Sequence, residues 1–226
     1  DILGESRGVL PSTEWKRNTY KKPEQQRWYS GETISLGIGQ GYNSFTMLQL
    51  AQATATLANQ GVKHRPRLVT STQDASTHAR TAQAVEPGQD LRLKPENIAV
   101  IVQAMVGVTQ EGTSTRVFAG APYLSGGKTG TAQAVSLGKN EKYNAARLEE
   151  RQRDHSLYIA FAPAQDPQVA LAVIVENAGF GAASAAPIAR RVFDYWLLQQ
   201  YPSAEDLAAV SKGQAAAPIG TPRKVA

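Results

Sequence analysis

The pattern that most restricts the fold lies in the C-terminal part of the chain, where two strand signals follow one another directly. Apolar residues alternate from Leu157 to Phe161, and a continuous apolar run occupies residues 169–175. Alternation is typical of a half-buried strand and a short apolar run of a buried one. Asp166-Pro167 between them is typical of a turn. The pattern therefore predicts a β-hairpin.

An amphipathic helix is predicted directly after this hairpin. Its apolar residues recur at three- and four-residue spacing, which places them on one stripe of a helix. They are Ala185, Ile188, Ala189, Val192, Phe193, Trp196 and Leu197. Because such a stripe has to be buried, we expect the helix to lie on the sheet, with Trp196 in the core.

Two earlier helices and a further strand complete the predicted α/β arrangement. Thr46 and Gln49 form a capping box, which predicts a helix from there to about Asn59. A second helix is predicted over residues 95–110, where proline stands near the start and apolar residues follow at helical spacing. A strand is predicted over residues 123–135.

The other segments carry weaker signals. Residues 64–72 are predicted as a short edge strand and residues 71–89 as a loop or ragged hairpin. Residues 1–30 are rich in proline, glycine and charge without a period, so we expect an irregular segment of the same domain. Residues 31–202 should form its body. From 203 to 226 small and polar residues dominate without periodicity, which predicts a disordered tail.

Composition limits the classes of function. With 226 residues and 42% hydrophobic content, the chain can bury a sizeable core. The net charge of +5 is mixed with acidic residues, as at 147–154, which favours a solvated helical face and no nucleic-acid partner. There is no cysteine, and His64, His78 and His155 are too dispersed for a metal motif, so we expect no metal or cofactor. We expect His155 to be a hydrogen-bonded structural residue.

The segment that suggests chemistry is Lys128-Thr129-Gly130-Thr131, inside the predicted strand 123–135. An ammonium beside two Thr hydroxyls is suited to binding a carboxylate, and glycine lets a substrate backbone approach closely. An exposed strand edge can also pair with an extended peptide. From these four residues alone, a carboxylate-binding edge and an ordinary strand end with a solvent-exposed lysine both remain open.

Several motifs occur in an order that is similar to a known family. They are Gly37–Tyr42, Thr46–Ala51, Gly112-Thr113, Ser125–Gln133, Tyr143–His155, Ala160–Pro163 and Val175–Asn177. Over roughly residues 1 to 200 they resemble the C-terminal half of class B penicillin-binding protein transpeptidase domains, and the last three resemble the elongation-type members. The resemblance implies an α/β fold in which helices cover an antiparallel sheet, with this chain supplying most of the sheet.

The same resemblance implies a function. It implies a peptidoglycan D,D-transpeptidase that cross-links D-alanyl-D-alanine stem peptides through an acylated serine, the serine that β-lactams also acylate. Lys128 would bind the substrate carboxylate and transfer protons. Thr129, Gly130 and Thr131 would bind substrate, and the Thr131 amide would be one of two oxyanion-hole donors. The turn Gly179-Phe180-Gly181 would either border the cleft or be a purely structural turn.

The family's nucleophile is missing from these motifs. Ser136-Leu-Gly-Lys139 has the Ser-x-x-Lys spacing, but it follows the Lys-Thr-Gly strand whereas the family places that motif far before it. We therefore reject it, and Ser-x-Asn occurs nowhere in the sequence. We expect the serine in an N-terminal half of the same domain outside this chain. Alone, the chain should be inactive and unstable, because helices for the inner face of the sheet would be missing.

The resemblance also implies partners and a location. A membrane glycan polymerase and an elongation-complex scaffold are the expected partners, at the periplasmic face of the bacterial inner membrane, with the anchor outside this chain. A non-catalytic receptor or scaffold that recognises penicillin or a peptide is the alternative. The segment 143–155 disfavours a division-type transpeptidase. A phosphate-binding P-loop is excluded because Pro122 stands where that motif needs glycine.

Overall fold

The computed structural model describes residues 2–133, 148–214 and 216–224, which form a mixed helical and sheet structure. Its helices are α1 Thr13–Thr19, α2 Pro23–Gln26, α3 Ser30–Gly37, α4 Met47–Ala58, α5 Pro95–Gln110, α6 Thr115–Phe118, α7 Ala185–Leu198 and α8 Ala204–Ser211, with a 3₁₀ turn at Glu150–Gln152. Its strands are β1 Val62–Lys63, β2 Ser71–Gln73, β3 Arg80–Ala82, β4 Gln89–Asp90, β5 Gly126–Ala132, β6 His155–Ala162, β7 Val169–Val175, β8 Gln200–Tyr201 and β9 Arg223–Lys224. Within these ranges, no helix combines the length and the apolar character that crossing a bilayer requires.

The central sheet has the order β5-β6-β7, and both pairs are antiparallel. Successive side chains of strand β6 pack against two different layers of helices. Tyr158 and Ala160 pack with α6 and α7, for example on Phe193, whereas Phe161 packs with α4 and α5 on Met105. The predicted antiparallel sheet covered by helices is therefore confirmed. The expectation that helices for its inner face are missing is wrong for the described strands, because α4 and α5 lie there.

The predicted helices α4 and α5 and the predicted hairpin β6–β7 are confirmed. At the start of α4 the Thr46 hydroxyl accepts from the Gln49 N–H at 3.1 Å, and the Gln49 carboxamide oxygen accepts from the Thr46 N–H at 3.0 Å. This reciprocal capping satisfies backbone donors that no helical carbonyl can reach. The predicted strand over 64–72 is wrong for residues 64–70, whereas the hairpin that was one alternative for 71–89 is confirmed as β2–β3.

Helix α7 lies on the sheet as predicted, but its buried face is displaced around the helix from the predicted apolar stripe. Ala185, Ala189 and Phe193 are fully buried, whereas Trp196 is 56% exposed. The buried face also includes Arg190 and Asp194, which pair with each other, whereas Ile188 and Val192 of the predicted stripe are 42% and 41% exposed. The prediction of Trp196 as a core residue is therefore wrong.

The N-terminal segment is more regular than expected, because it contains α1 and α2. Lys16 on α1 is buried, where its ammonium donates to the Arg27 carbonyl at 2.8 Å and pairs with Glu32. The same ammonium lies 5.3 Å from the ring centroid of Tyr29 and 5.5 Å from that of Tyr42. A desolvated cation held by a carboxylate and aromatic faces fastens α1 to α3.

The predicted disordered tail is wrong for residues 204–211, which form α8. Ser203 caps this helix by accepting from the Asp206 N–H at 2.9 Å. Asp206 is buried and pairs with Arg191 of α7, with 2.8 Å between the Arg191 Nε and the Asp206 Oδ2. Because the partner of Asp206 lies 15 residues away, the local pattern of the tail does not reveal the contact.

Candidate active site

Strand β5 carries the Lys-Thr-Gly segment. Its edge away from β6 is called the outer edge below, and side chains donate hydrogen bonds to the backbone carbonyls of this edge. Three carbonyls on this side accept hydrogen bonds: that of Ser125, just before β5, from Thr109 Oγ1 at 2.7 Å, that of Thr129 from Lys128 Nζ at 2.7 Å, and that of Thr131 from Gln40 Nε2 at 3.2 Å. The N–H and C=O of one residue in an antiparallel strand point to the same edge. The Thr131 N–H therefore also points to the outer edge.

The predicted binding residues lie together at the exposed end of β5. Lys128 is exposed, and its side chain and that of Thr129 lie on opposite faces of the strand. The Thr129 hydroxyl is 3.1 Å from the hydroxyl of Thr113, which lies in the turn between α5 and α6. The outer edge thus offers an ammonium, a pair of hydroxyls and backbone N–H groups within a few residues, a set of donors that suits a carboxylate on an extended peptide.

The turn Gly179-Phe180-Gly181 lies directly beside this end of β5. A Cβ on Gly181 would stand 2.3 Å from the Leu157 carbonyl oxygen and 2.7 Å from that of Gly130, so only glycine fits there. Buried Ser156 holds the turn by donating to the Phe180 carbonyl at 3.1 Å. The Phe180 side chain is 73% exposed. The turn therefore adjoins the predicted site, and its contact with substrate stays a prediction.

The first half of β5 is sealed by two aromatic rings. A Cβ on Gly126 would stand 2.4 Å from the Phe161 ring, and one on Gly127 would stand 2.2 Å from the Tyr158 hydroxyl oxygen. The Tyr158 hydroxyl is 2.9 Å from that of Ser114. Burial raises the pKa of Tyr158 to about 12, against the opposing effect of the Ser114 hydrogen bond. The strand can lie this close to the rings because glycines stand at both positions.

Two segments of the chain have the Ser-x-x-Lys spacing. Ser136-Leu-Gly-Lys139 lies outside the described residues. Ser125-Gly-Gly-Lys128 also fits the spacing, and sequence reasoning overlooked it. In an extended strand, side chains three positions apart lie on opposite faces and about 10 Å apart, so Ser125 and Lys128 do not form a nucleophile–base pair. Ser125 is also buried, and its hydroxyl has no partner among the described residues.

The histidines contribute no catalytic group to this edge. His155 accepts at Nδ1 from the Asn177 N–H at 3.0 Å, which confirms it as a hydrogen-bonded structural residue. In the described part of the chain, no three His, Cys, Asp or Glu side chains are grouped so that they could hold a metal ion.

Sequence reasoning assigned no role to Gln40 or Thr113, although both lie in segments that it singled out. The alternating glycines around Gln40 and the Gly112-Thr113 pair are local signals of tight turns. Which strand those turns approach depends on packing across the domain, so the contacts with β5 appear only in three dimensions.

Most of this chain is similar in sequence to known proteins. Residues 4–194 match the penicillin-binding protein transpeptidase domain family. The peptidoglycan D,D-transpeptidase MrdA of Haemophilus influenzae is 40% identical over 214 residues, which cover 91% of this chain and 31% of that protein. This chain therefore spans about a third of the length of that curated relative.

Solved structures show the same fold. The crystal structure of Pseudomonas aeruginosa PBP2 superposes with a TM-score of 0.70 at 39% identity, covering 91% of this chain and 42% of that one. A chain from a peptidoglycan synthase complex, whose structure concerns the coordination of polymerization and crosslinking, has a TM-score of 0.64 at 29% identity, covering 86% of this chain and 30% of its own.

Proposed function

The chain belongs to the penicillin-binding protein transpeptidase family, and we propose from this that it forms the substrate-binding side of a peptidoglycan D,D-transpeptidase site. The observation that carries the proposal is the outer edge of β5. Lys128 and Thr129 stand there beside backbone groups of Thr131 that point away from the sheet.

Binding is proposed to use this edge as a template. The Lys128 ammonium and the hydroxyls of Thr129 and Thr131 bind the terminal carboxylate of a D-alanyl-D-alanine stem, where charge-assisted hydrogen bonds are strongest. The stem lies along the edge as an added strand, and Gly130 leaves room for its backbone. Thr113 orients the Thr129 hydroxyl through their 3.1 Å contact.

Acyl transfer then follows in two steps. A serine, proposed to lie outside these 226 residues, attacks the penultimate D-alanine carbonyl, while the Thr131 N–H stabilises the negative charge on that oxygen. The bond to the terminal D-alanine breaks, and this D-alanine leaves as the free amino acid once its amine has been protonated. An amine from a neighbouring stem then attacks the acyl-serine, which forms the cross-link and frees the serine. Lys128 assists the proton transfers.

Location and partners extend the same proposal. We place the intact protein at the periplasmic face of the inner membrane, with a membrane glycan polymerase and an elongation-complex scaffold as partners and with a role in cell shape. The elongation-type motifs around 160–177 support this assignment, as does the similarity to a chain of a peptidoglycan synthase complex.

Two measurements on the intact protein test the proposed function. Incubation with a fluorescent penicillin should give a covalent adduct that survives denaturing electrophoresis, and a protein that forms none would contradict serine acyl transfer. Incubation with a D-alanyl-D-alanine pentapeptide should release D-alanine. An adduct without any release of D-alanine would favour the alternative, a receptor that recognises penicillin but does not turn over peptides.

A further inference from the structure

The hydrogen bond between Gln40 and Thr131 joins two segments that are 91 residues apart, at the end of β5 where the candidate site lies. The donors to the Ser125 and Thr129 carbonyls come from α5 and from β5 itself. β5 ends at Ala132, one residue after Thr131. Strand ends fray unless they are tied down, so the Gln40 carboxamide secures the strand where fraying would begin.

Gln40 is itself held firmly in place. Its N–H donates to the Ser35 carbonyl at 2.9 Å, and its own carbonyl accepts from the Asn43 side chain, also at 2.9 Å. Gly39 and Gly41 on either side have φ angles of 77° and 71°, a region that glycine adopts without strain. The carboxamide therefore points at β5 from a rigid turn and does not sweep freely over the edge.

The segment that carries Gln40 is fastened on both sides by one cluster. Glu32 on α3 precedes Gln40 and pairs with the buried Lys16, while Tyr42 follows it and donates to Glu32 at 3.1 Å. The hydrogen bond from Lys16 lowers the pKa of Glu32, so this carboxylate remains charged at neutral pH. The cluster of Lys16, Glu32 and Tyr42 thus connects the N-terminal segment to the candidate site through Gln40.

We propose that Gln40 is a positioning residue for acyl transfer, which holds the end of β5 so that the Thr131 N–H is in place before the substrate arrives. This inference rests on the proposed function. The Thr131 carbonyl has two lone pairs, so it can accept from Gln40 and from a substrate N–H together. An oxyanion donor is effective only when its position is fixed in advance, because reorganisation during the reaction would cost part of the stabilisation.

The test uses the intact protein and separates binding from chemistry. Acylation by fluorescent penicillin is followed at several penicillin concentrations, which yields the dissociation constant of the non-covalent complex and the rate constant of acylation. Gln40→Met keeps the side-chain length but removes the donor, and Gln40→Lys restores a donor. Gln52→Ala is the matched control, because Gln52 also donates its carboxamide to a backbone carbonyl, that of His64 at 2.9 Å, away from β5.

We expect Gln40→Met to lower the acylation rate constant about tenfold with little change in the dissociation constant, since one hydrogen bond that orients the donor is lost. Gln40→Lys should recover part of the rate, and Gln52→Ala should match the wild type. If Gln40→Met melts early, the rate constant of Gln40→Lys decides: a well-folded lysine variant with no better rate than the methionine variant overturns the proposal.

Two other results would also overturn it. An unchanged rate in Gln40→Met shows that the contact is dispensable, and a faster rate shows that Gln40 merely occupies the acceptor that substrate needs. In both cases the wild-type protein still forms its adduct, so the proposed function stands. Absence of an adduct in the wild type would remove the proposed function itself.

Discussion

The two halves of β5 differ in what surrounds them, although they belong to one strand of seven residues. Gly126 and Gly127 lie beneath the rings of Phe161 and Tyr158, with no room for a Cβ. Lys128 is open to solvent, and the residues from Thr129 to Ala132 are only partly buried. The buried half therefore fixes the position of the strand, and the exposed half is accessible to a ligand.

This difference shows how an exposed strand edge can still be held in a fixed position. An exposed strand end gains little from packing, so its position has to come from residues on either side of it in the chain or in space. Here the close packing of Gly126 and Gly127 fixes the strand within the sheet. Gln40 holds its outer edge by a hydrogen bond, and Gly181 packs closely against Gly130. Substitutions in the two halves should accordingly affect different quantities, stability in one and activity in the other.

The largest loss of stability is expected at Asp194, which binds Tyr123 in the segment just before the buried half of β5. Tyr123 donates to Asp194 at 2.7 Å, and buried Arg190 donates to both carboxylate oxygens at 2.9 and 3.0 Å. Asp194→Ala leaves Arg190 without its counter-charge, which should cost about 3–5 kcal/mol. Thermal unfolding of the intact protein measures the loss. Glu149→Ala, which breaks an exposed pair with Arg151, should cost less than about 1 kcal/mol, and equal losses would contradict the assignment.

In the exposed half, Lys128→Ala should impair activity and leave stability unchanged. Loss of a charge-assisted contact with the substrate carboxylate corresponds to about 10- to 100-fold in the rate of acylation by penicillin. The melting temperature should remain that of the wild type, because Lys128 is exposed. Lys63→Ala removes another exposed strand lysine and should change neither quantity. A lower melting temperature for Lys128→Ala would contradict the claim that the exposed half affects activity and not stability.

In the buried half, Gly127→Ala should do the reverse and act first on stability. Its methyl group would stand 2.2 Å from the hydroxyl oxygen of buried Tyr158, and such overpacking costs about 1–3 kcal/mol. Gly107→Ala in α5 is the matched control, because the nearest atom to its Cβ is 3.8 Å away. Alanine is the better helix former, so Gly107→Ala should stabilise by about 0.5–1 kcal/mol. Two losses of equal size would contradict the packing argument.

Local signals explain how much of this architecture the sequence predicts. The capping box at Thr46, the proline at 95 and the helical period of 185–197 act within one or two turns, and the corresponding helices form where predicted. The hairpin β6–β7 follows from alternation and a turn in the same way. Of the candidate site, the Lys-Thr-Gly strand and the adjoining turn 179–181 were both identified from sequence.

The remainder depends on partners that are distant in the chain. Helix α8 forms in a tail of low complexity because Asp206 reaches Arg191 on α7. Trp196 belongs to the apolar stripe, but the buried face of α7 is displaced from that stripe and includes Arg190 and Asp194. The pairing of Gln40 with Thr131 has no local signature at all. Periodicity shows which side of a helix is apolar, and only the packed structure shows how much of it is covered.

The smallest effect on stability is expected from removing the hydroxyl of Tyr158 while keeping its ring. The pKa of Tyr158 is raised from 10.0 to about 12, mainly by burial. Between these values the unfolded chain loses the proton while the folded protein keeps it. The contribution of Tyr158 to stability is therefore fully present below pH 10 and falls as the pH rises toward 12.

At neutral pH, Tyr158→Phe should cost only about 1 kcal/mol, because Ser114 keeps its bond to the Val108 carbonyl. Urea unfolding between pH 7 and 11 should then show a shallower alkaline loss for Tyr158→Phe than for the wild type. Some loss should persist from Tyr42, whose pKa is raised to about 12 by Tyr20, burial and Glu32. An identical loss of stability at alkaline pH in both proteins would mean that the Tyr158 hydroxyl over Gly127 is accessible to water. The two halves of β5 would then differ less in burial than their packing indicates.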